Sequence, residues 1–182
     1  MLRANIHPRE IDLIQSYLSD KKIMLEYGCG GSTTIFPRYV KKYYSIEHNL
    51  DWFWNVQQEI YNDKLDNVEI HLCDIPKGVP TKREEFWERY DDNILYASEH
   101  LDTNIPSFED CAYPKDKYVW SEYIDYVDKL NVKLFDVVLI DGRARTDCAY
   151  KVLNYIDKGS IVFIHDFWPR PEYHKAVSYT HL

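Results

Sequence analysis

A chain of 182 residues, 45% of them hydrophobic and 29% charged, has room for one ordinary domain around a single core and is short for two. The formal net charge of -8 gives no general attraction for nucleic-acid phosphates or anionic lipid, and no apolar stretch approaches the roughly 20 residues that span a bilayer. Nucleic acid and membrane are therefore excluded as expected partners. The opening "MLRANIHPREIDLIQ" is broken by Arg9, Glu10 and Asp12 and lacks the apolar core of a secretory signal, so a cytoplasmic protein is expected. Cys29, Cys73, Cys111 and Cys148 form no CxxC pair and are expected to be reduced thiols.

Along the chain, Pro8 followed by Ile11, Ile14, Tyr17 and Leu18 predicts an opening helix, with apolar residues three and four apart behind a proline. Three short apolar runs, "KKIMLEYG", "YYSIEHN" and "VEIHLCD", then end in glycine, asparagine or an acid and are predicted strands. Between the first two, "STTIFPRYVKK" offers Ser32 or Thr33 as a helix cap, and "LDWFWNVQQEIYND" after the second has helical periodicity. The two most apolar runs, "FDVVLIDG" and "GSIVFIHDF", lack polar alternation, which predicts strands covered on both faces. "YVWSEYIDYVDKL" before them and "RTDCAYKVLNYID" between them read as helices. The gap from 75 to 133 exceeds one crossover helix, so an inserted cap is expected at about 77–117. The 16 tyrosines and 5 tryptophans suit half-buried helix faces and ligand walls alike. Strand and helix in turn predict an α/β fold, a doubly wound, mostly parallel sheet in one domain over 1–176. The final "VSYTHL" back-translates into a common sequencing-adapter end, so 177–182 are expected to be a non-native tail.

The stretch "LEYGCGGSTT" packs an apolar entry, an acid and three glycines into ten residues. In a parallel sheet, ligands settle beyond the carboxyl ends of the strands where strand order reverses, and the first strand-to-helix turn is usually there. Gly28, Gly30 and Gly31 permit backbone angles that a side chain forbids and let a ligand lie on the main chain; a tight turn with no ligand is the plainer alternative. Glu47 closes the next strand about 20 residues on, the spacing at which an acid reaches two ribose hydroxyls, so a nucleoside-containing ligand is indicated. Thr33 stands where the dinucleotide fingerprint has its third glycine, which counts against NAD, and no GKS or GKT is present for a nucleoside triphosphate.

Taken in order, "LEYGCGGSTT", "YYSIEHN", "HLCD", "FDVVLIDG" and "GSIVFIHDF" resemble the motifs of class I S-adenosylmethionine-dependent methyltransferases over 23–166. The resemblance implies a three-layer Rossmann-like fold, a transferase activity and S-adenosyl-L-methionine as cofactor. It implies that Glu26 and the backbone at Gly28, Gly30 and Gly31 hold the methionine part, Glu47 the ribose hydroxyls and Asp74 the adenine amine. Asp141 would face the transferred methyl. That cofactor is cationic at its sulfonium and ammonium and carries no phosphate, which suits acids at Glu26 and Asp141. The family adds two strands after the fifth, whereas 15 residues follow Phe167 here, so the C-terminal strands are expected to be missing.

Methyl transfer from a sulfonium is an in-line displacement, so the protein's task is to align the acceptor and exclude water; a hydroxyl acceptor must also lose a proton. "IDGRAR" and "IHDFWPRPEYH" bring Asp141, His165, Asp166 and His174 to strand ends, with His165 as the expected base and Asp166 orienting it or contacting the acceptor. In metal-dependent relatives the positions of Asp141 and Asp166 hold magnesium, but the asparagine that follows the second acid there is Phe167 here, and no metal is assigned. Arg143, Arg145 and Arg170 gather near the same mouth and suit an acidic or phosphorylated acceptor, solvated loop charges being the alternative. "DGRAR" and "HDF" are also similar to the plant glucuronoxylan 4-O-methyltransferases, whose acceptor is a sugar acid. The expected activity is O-methylation of a small-molecule or sugar-type acceptor. The alternatives are an NAD- or nucleotide-sugar-dependent enzyme and a non-catalytic cofactor-binding remnant.

Overall fold

The computed structural model describes residues 2–20, 22–73 and 120–167. The expected cap at 77–117, Asp74, Cys111, Arg170, His174 and the tail at 177–182 lie outside the described residues.

Helix α1 (Pro8–Ser16) begins at its proline, and His7 caps it reciprocally: His7 Nδ1 accepts from the Arg9 amide at 3.2 Å while Glu10 Oε2 accepts from the His7 amide at 3.0 Å. Strand β1 (Ile23–Tyr27) runs into the glycine loop, and from there a single helical turn, α2 (Ser32–Ile35), tightens into a 3-10 turn at Phe36–Tyr39. Then come β2 (Lys42–Glu47), α3 (Leu50–Asp63) and β3 (Val68–Leu72), with the Asn49 side chain capping α3 on the Trp52 amide at 2.9 Å. The second half comprises α4 (Ser121–Asp125) with a 3-10 extension at Tyr126–Leu130, β4 (Val137–Ile140), α5 (Arg145–Val152) and β5 (Ile161–Ile164).

All pairings are parallel, in the order β3-β2-β1-β4-β5. The order reverses between β1 and β4, which puts the crevice for a ligand beyond the ends of those two strands. Side chains alternate along β4: Val138 and Ile140 pack with Leu25, Tyr27, Tyr123 and Cys148, while Val137 and Leu139 pack with Ile14, Met24, Phe36 and Tyr43. Both faces of the central strands are therefore covered, by α4 and α5 on one side and α1 with the 3-10 turn on the other. Helix α3 closes the β3 end through Val56, Ile60 and Ile70. This is the expected three-layer, doubly wound parallel sheet.

Three local expectations need correction. All four residues of β5 are only half-buried, because it is the edge of the described sheet and has one strand beside it. Neither Ser32 nor Thr33 caps α2: Gly31 holds the cap position without a side-chain bond, and both hydroxyls are drawn to Glu26 instead. The crossover helix is one α-turn followed by 3-10 rather than a continuous α-helix. Cys29, Cys73 and Cys148 are buried free thiols. Among the described residues, no helix is long and apolar enough to cross a membrane.

Candidate active site at the strand-order reversal

A cavity of about 560 Å3 opens beyond the ends of β1, β2, β4 and β5. Its floor is the glycine loop. Gly28 sits at φ +91, and a Cβ there would lie 2.6 Å from Gly142 Cα, so the loops after β1 and β4 touch backbone to backbone. Gly142 is constrained in turn, since a side chain on it would overlap the buried Tyr123 hydroxyl. Gly30 differs: a Cβ there would make ordinary contacts with Trp52 Nε1 at 3.7 Å and Ser32 Oγ at 3.8 Å, and the residue lines the cavity. The Trp52 indole donates to the Cys29 carbonyl and forms part of the wall.

Two glutamates stand at adjacent strand ends with opposite protonation tendencies. Glu26 is fully buried and lies beneath the loop, outside the cavity lining. Its oxygens accept from the Ser32 hydroxyl, from Thr33 Oγ1 at 2.6 Å and from Ser45 Oγ at 3.1 Å. Burial pushes its carboxyl up from 4.5 to about 7, against the lowering effect of the Ser32 and Thr33 hydroxyls. Thr33 Oγ1 also accepts from the Gly30 amide at 2.8 Å, so the residue that replaces the third glycine of the dinucleotide pattern bridges the loop to the buried acid. Glu47 does line the cavity. Desolvation raises its carboxyl, but the His48 imidazole 3.0 Å away and the amides of His48 and Asn49 more than offset this and hold it below the usual glutamate range. Its Oε2 accepts from the Cys29 amide at 2.9 Å.

The other wall gathers the acids, histidine and arginine of β4 and β5. His165 Nδ1 lies 2.8 Å from Asp141 Oδ1, which fixes the second ring nitrogen, Nε2, as the one left to face other groups; Glu10 Oε2 and Asp166 Oδ1 are each 3.8 Å from it. The hydrogen bond to Asp141 raises the imidazole pKa, and desolvation works against it. Asp141, rather than Asp166, is thus the group that orients His165. Asp166 adopts φ +54, a conformation uncommon outside glycine, at the turn leaving β5.

Arg145, expected at the mouth as an acceptor-binding cation, is only 8% exposed. Its guanidinium donates to the carbonyls of Gly142 at 3.0 Å, Asp141 at 3.2 Å and His165, and lies 3.3 Å from Asp141 Oδ1 and 3.7 Å from Asp166 Oδ2. It fastens the end of β4 to the end of β5. A guanidinium thus spans the two acids that a magnesium ion would need, and the donor set does not fit a metal there.

Of the residues marked from sequence, Gly28, Gly30, Gly31, Glu47, Asp141, His165 and Asp166 line one cavity and Glu26 supports its floor from below. Asp74 lies outside the described residues. The sequence reading missed Arg3, Asn5 and Trp52 as cavity residues. The last lies two residues past the first residue of the helix after β2; the first two follow an alternation described below.

No protein-family model and no curated protein matches this sequence. The fold has well-matched counterparts among solved structures. A methyltransferase-like protein from Silicibacter pomeroyi superposes with a TM-score of 0.66 at 21% identity, covering 98% of this chain and 80% of that one. A precorrin 8w decarboxylase from Methanobacterium thermoautotrophicum gives 0.58 at 13% identity, covering 99% of this chain and 75% of that one. A candidate methyltransferase from Streptococcus mutans, solved in complex with SAH (S-adenosylhomocysteine), gives 0.56 at 12% identity, covering 96% of this chain and 81% of that one. At such identities the likeness is one of architecture, and one architecture hosts many activities. This chain therefore has the Rossmann-like α/β fold of these structures, with its cavity at the strand-order reversal.

Proposed function

We propose that the chain is an S-adenosylmethionine-dependent methyltransferase that methylates an oxygen of a small-molecule or sugar-type acceptor. The observation that carries the reading is the Asp141–His165 pair, 2.8 Å apart, on the wall of the glycine-floored cavity at the strand-order reversal. The residues fit that cofactor better than a dinucleotide. The amides of Cys29 and Gly30, which would cradle a diphosphate, are occupied by Glu47 and Thr33, and the carboxylate of Glu47 repels phosphate from the same place. A nucleoside without phosphate meets no such obstacle. Glu47 Oε2 retains acceptor capacity beyond its one backbone bond for ribose hydroxyls, and the bare backbone at Gly30 lets a ligand lie close.

When bound, the cofactor supplies a methyl group on a positively charged sulfur. The chain's own residues do the rest. Asp141 holds the Nδ1 proton of His165, so a neutral imidazole presents Nε2 as the base that takes the acceptor proton, and Asp141 stabilises the imidazolium that results. Arg145 keeps both strand ends in register and so sets where that nitrogen stands. The net charge of -8 supports a small acceptor rather than a nucleic acid, and the similarity of "DGRAR" and "HDF" to glucuronoxylan 4-O-methyltransferases supports a sugar acid among those to be tried.

Calorimetric titration with S-adenosylhomocysteine, with NAD as the control and Glu47→Ala in parallel, tests the reading. Binding in the micromolar range, about 8 kcal/mol, lost in the variant and absent for NAD, is the expected result. Binding of NAD in its place, or of neither compound by the folded protein, overturns it.

A further inference from the structure

The segment ahead of α1, residues 2–7, crosses the glycine loop as a strap whose burial alternates with a period of two. Leu2 packs with Cys29, Val56 and Ile60, while Ala4 and the buried Ile6 pack with Ile14, Met24 and Phe36. The residues between them, Arg3 and Asn5, line the ligand cavity. Gly31 records how close the crossing is: its backbone is ordinary helical geometry, yet a Cβ there would lie 2.6 Å from Ala4 Cα and overlap the Ala4 amide. The strap therefore requires a glycine at 31, whose backbone also lines the cavity.

On the reading proposed above, the ligand ends in an amino acid, with an ammonium and a carboxylate. The cavity wall supplies carboxylates in plenty at Glu47, Asp51, Asp141 and Asp166. A ligand carboxylate needs the opposite charge. The Cys29 and Gly30 amides are occupied, and the guanidinium of Arg145 is turned to strand-end carbonyls and Asp141. Arg3 and Arg143 also line the cavity, and Arg3 does so from the strap, whose backbone lies against Gly31. We infer that Arg3 binds the carboxylate at the amino-acid end of the cofactor, so that the strap forms part of the binding site. An inward anchor of Leu2, Ala4 and Ile6 gives this cation a fixed starting point, which lowers the ordering cost of the contact.

The test compares S-adenosylhomocysteine with 5′-methylthioadenosine, which shares the nucleoside and lacks the carboxylate, in titrations of wild type, Arg3→Gln, Arg3→Lys and Arg143→Gln. Arg3→Gln is expected to weaken the homocysteine compound about tenfold and leave the methylthio compound unchanged, with Arg3→Lys recovering part of the loss. An unchanged affinity in Arg3→Gln, an equal loss for both compounds, or a selective loss in Arg143→Gln alone overturns the role of Arg3 while leaving the cofactor reading intact. Wild type that binds neither compound overturns the cofactor reading itself.

Discussion

At the ends of β1 and β2, Glu26 and Glu47 have their oxygens occupied by hydroxyls and backbone amides, whereas at the ends of β4 and β5, Asp141 and Asp166 share one histidine and one arginine beside an open cavity. Both regions collect acids at strand ends, and the partners decide what the acids do. Burial shifts Glu26 up, and the lowering effect of its hydroxyl partners does not offset it; an imidazole and amides hold Glu47 charged against its own burial. In the β4–β5 mouth the acid instead lends its charge to His165, which becomes a stronger base. The first region's acids tie down the glycine loop, and the second's hold a histidine beside the cavity.

The largest break in that contrast is expected from Gly28→Ala. A side chain there meets both a positive φ and the Gly142 backbone 2.6 Å away, and neither can yield, so a loss of about 4 kcal/mol in urea unfolding is expected. Gly30→Ala is the contrast, because a methyl there makes only ordinary contacts and less than about 1 kcal/mol should be lost. Equal losses would show that the loop as a whole, and not the crossing of two backbones, sets the requirement. Next comes Arg145→Met, which leaves the acids at the mouth without their shared cation. About 3 kcal/mol of stability should go with it, together with turnover. Retained turnover at lowered stability would confine Arg145 to the fold.

Glu26→Gln sharpens the comparison through pH. The folded carboxyl titrates near 7 and the unfolded one near 4.5, so the folded state binds the extra proton between those values and wild-type stability falls as pH rises through them, by about 3 kcal/mol in all. The variant should show no such fall. Glu47, shifted the other way, contributes stability above the ordinary glutamate value that is lost as pH falls through its lowered one; Glu47→Gln should therefore flatten the acid limb instead. Thermal melts from pH 8 down to well below the ordinary glutamate value of 4.5 separate the two. The smallest expected effect is from Asp141→Asn. His165 needs to be neutral to act as a base, so wild-type rate should rise as pH passes its raised pKa, and the variant's rate limb should move down toward the ordinary value of 6.5 while the maximum rate falls. The stability that His165 contributes is complete below 6.5 and lost as pH rises through the raised pKa, and this loss too should vanish in the variant. A limb that stays in place would show that another group is the base.

Much of the fold was legible from local pattern. The apolar runs became β1 to β5, the proline-led stripe became α1 and the periodic run after Asn49 became α3, because buried faces recur at 2.0 residues in strands and 3.6 in helices whatever the partner. The site was legible to the extent that chemistry clusters at strand ends: Gly28, Glu47, Asp141 and His165 stand on one cavity. Partnership was not legible. Ser32 and Thr33 read as caps, yet the hydroxyls turned to a carboxylate six and seven residues back, and Arg145 read as a surface cation although it is buried between two strand ends.

By itself the sequence determined the order of strands and helices, the doubly wound class and the strand ends at which acids, glycines and histidine gather, because those follow from periodicity and from short-range geometry. Only the tertiary structure decided that Gly28 must yield to Gly142, that Gly31 must yield to the strap, that Glu26 is drawn toward neutrality while Glu47 stays charged, and that Asp141 rather than Asp166 orients His165. Those outcomes depend on burial and on distances between residues far apart in the chain, and spacing along a sequence carries neither.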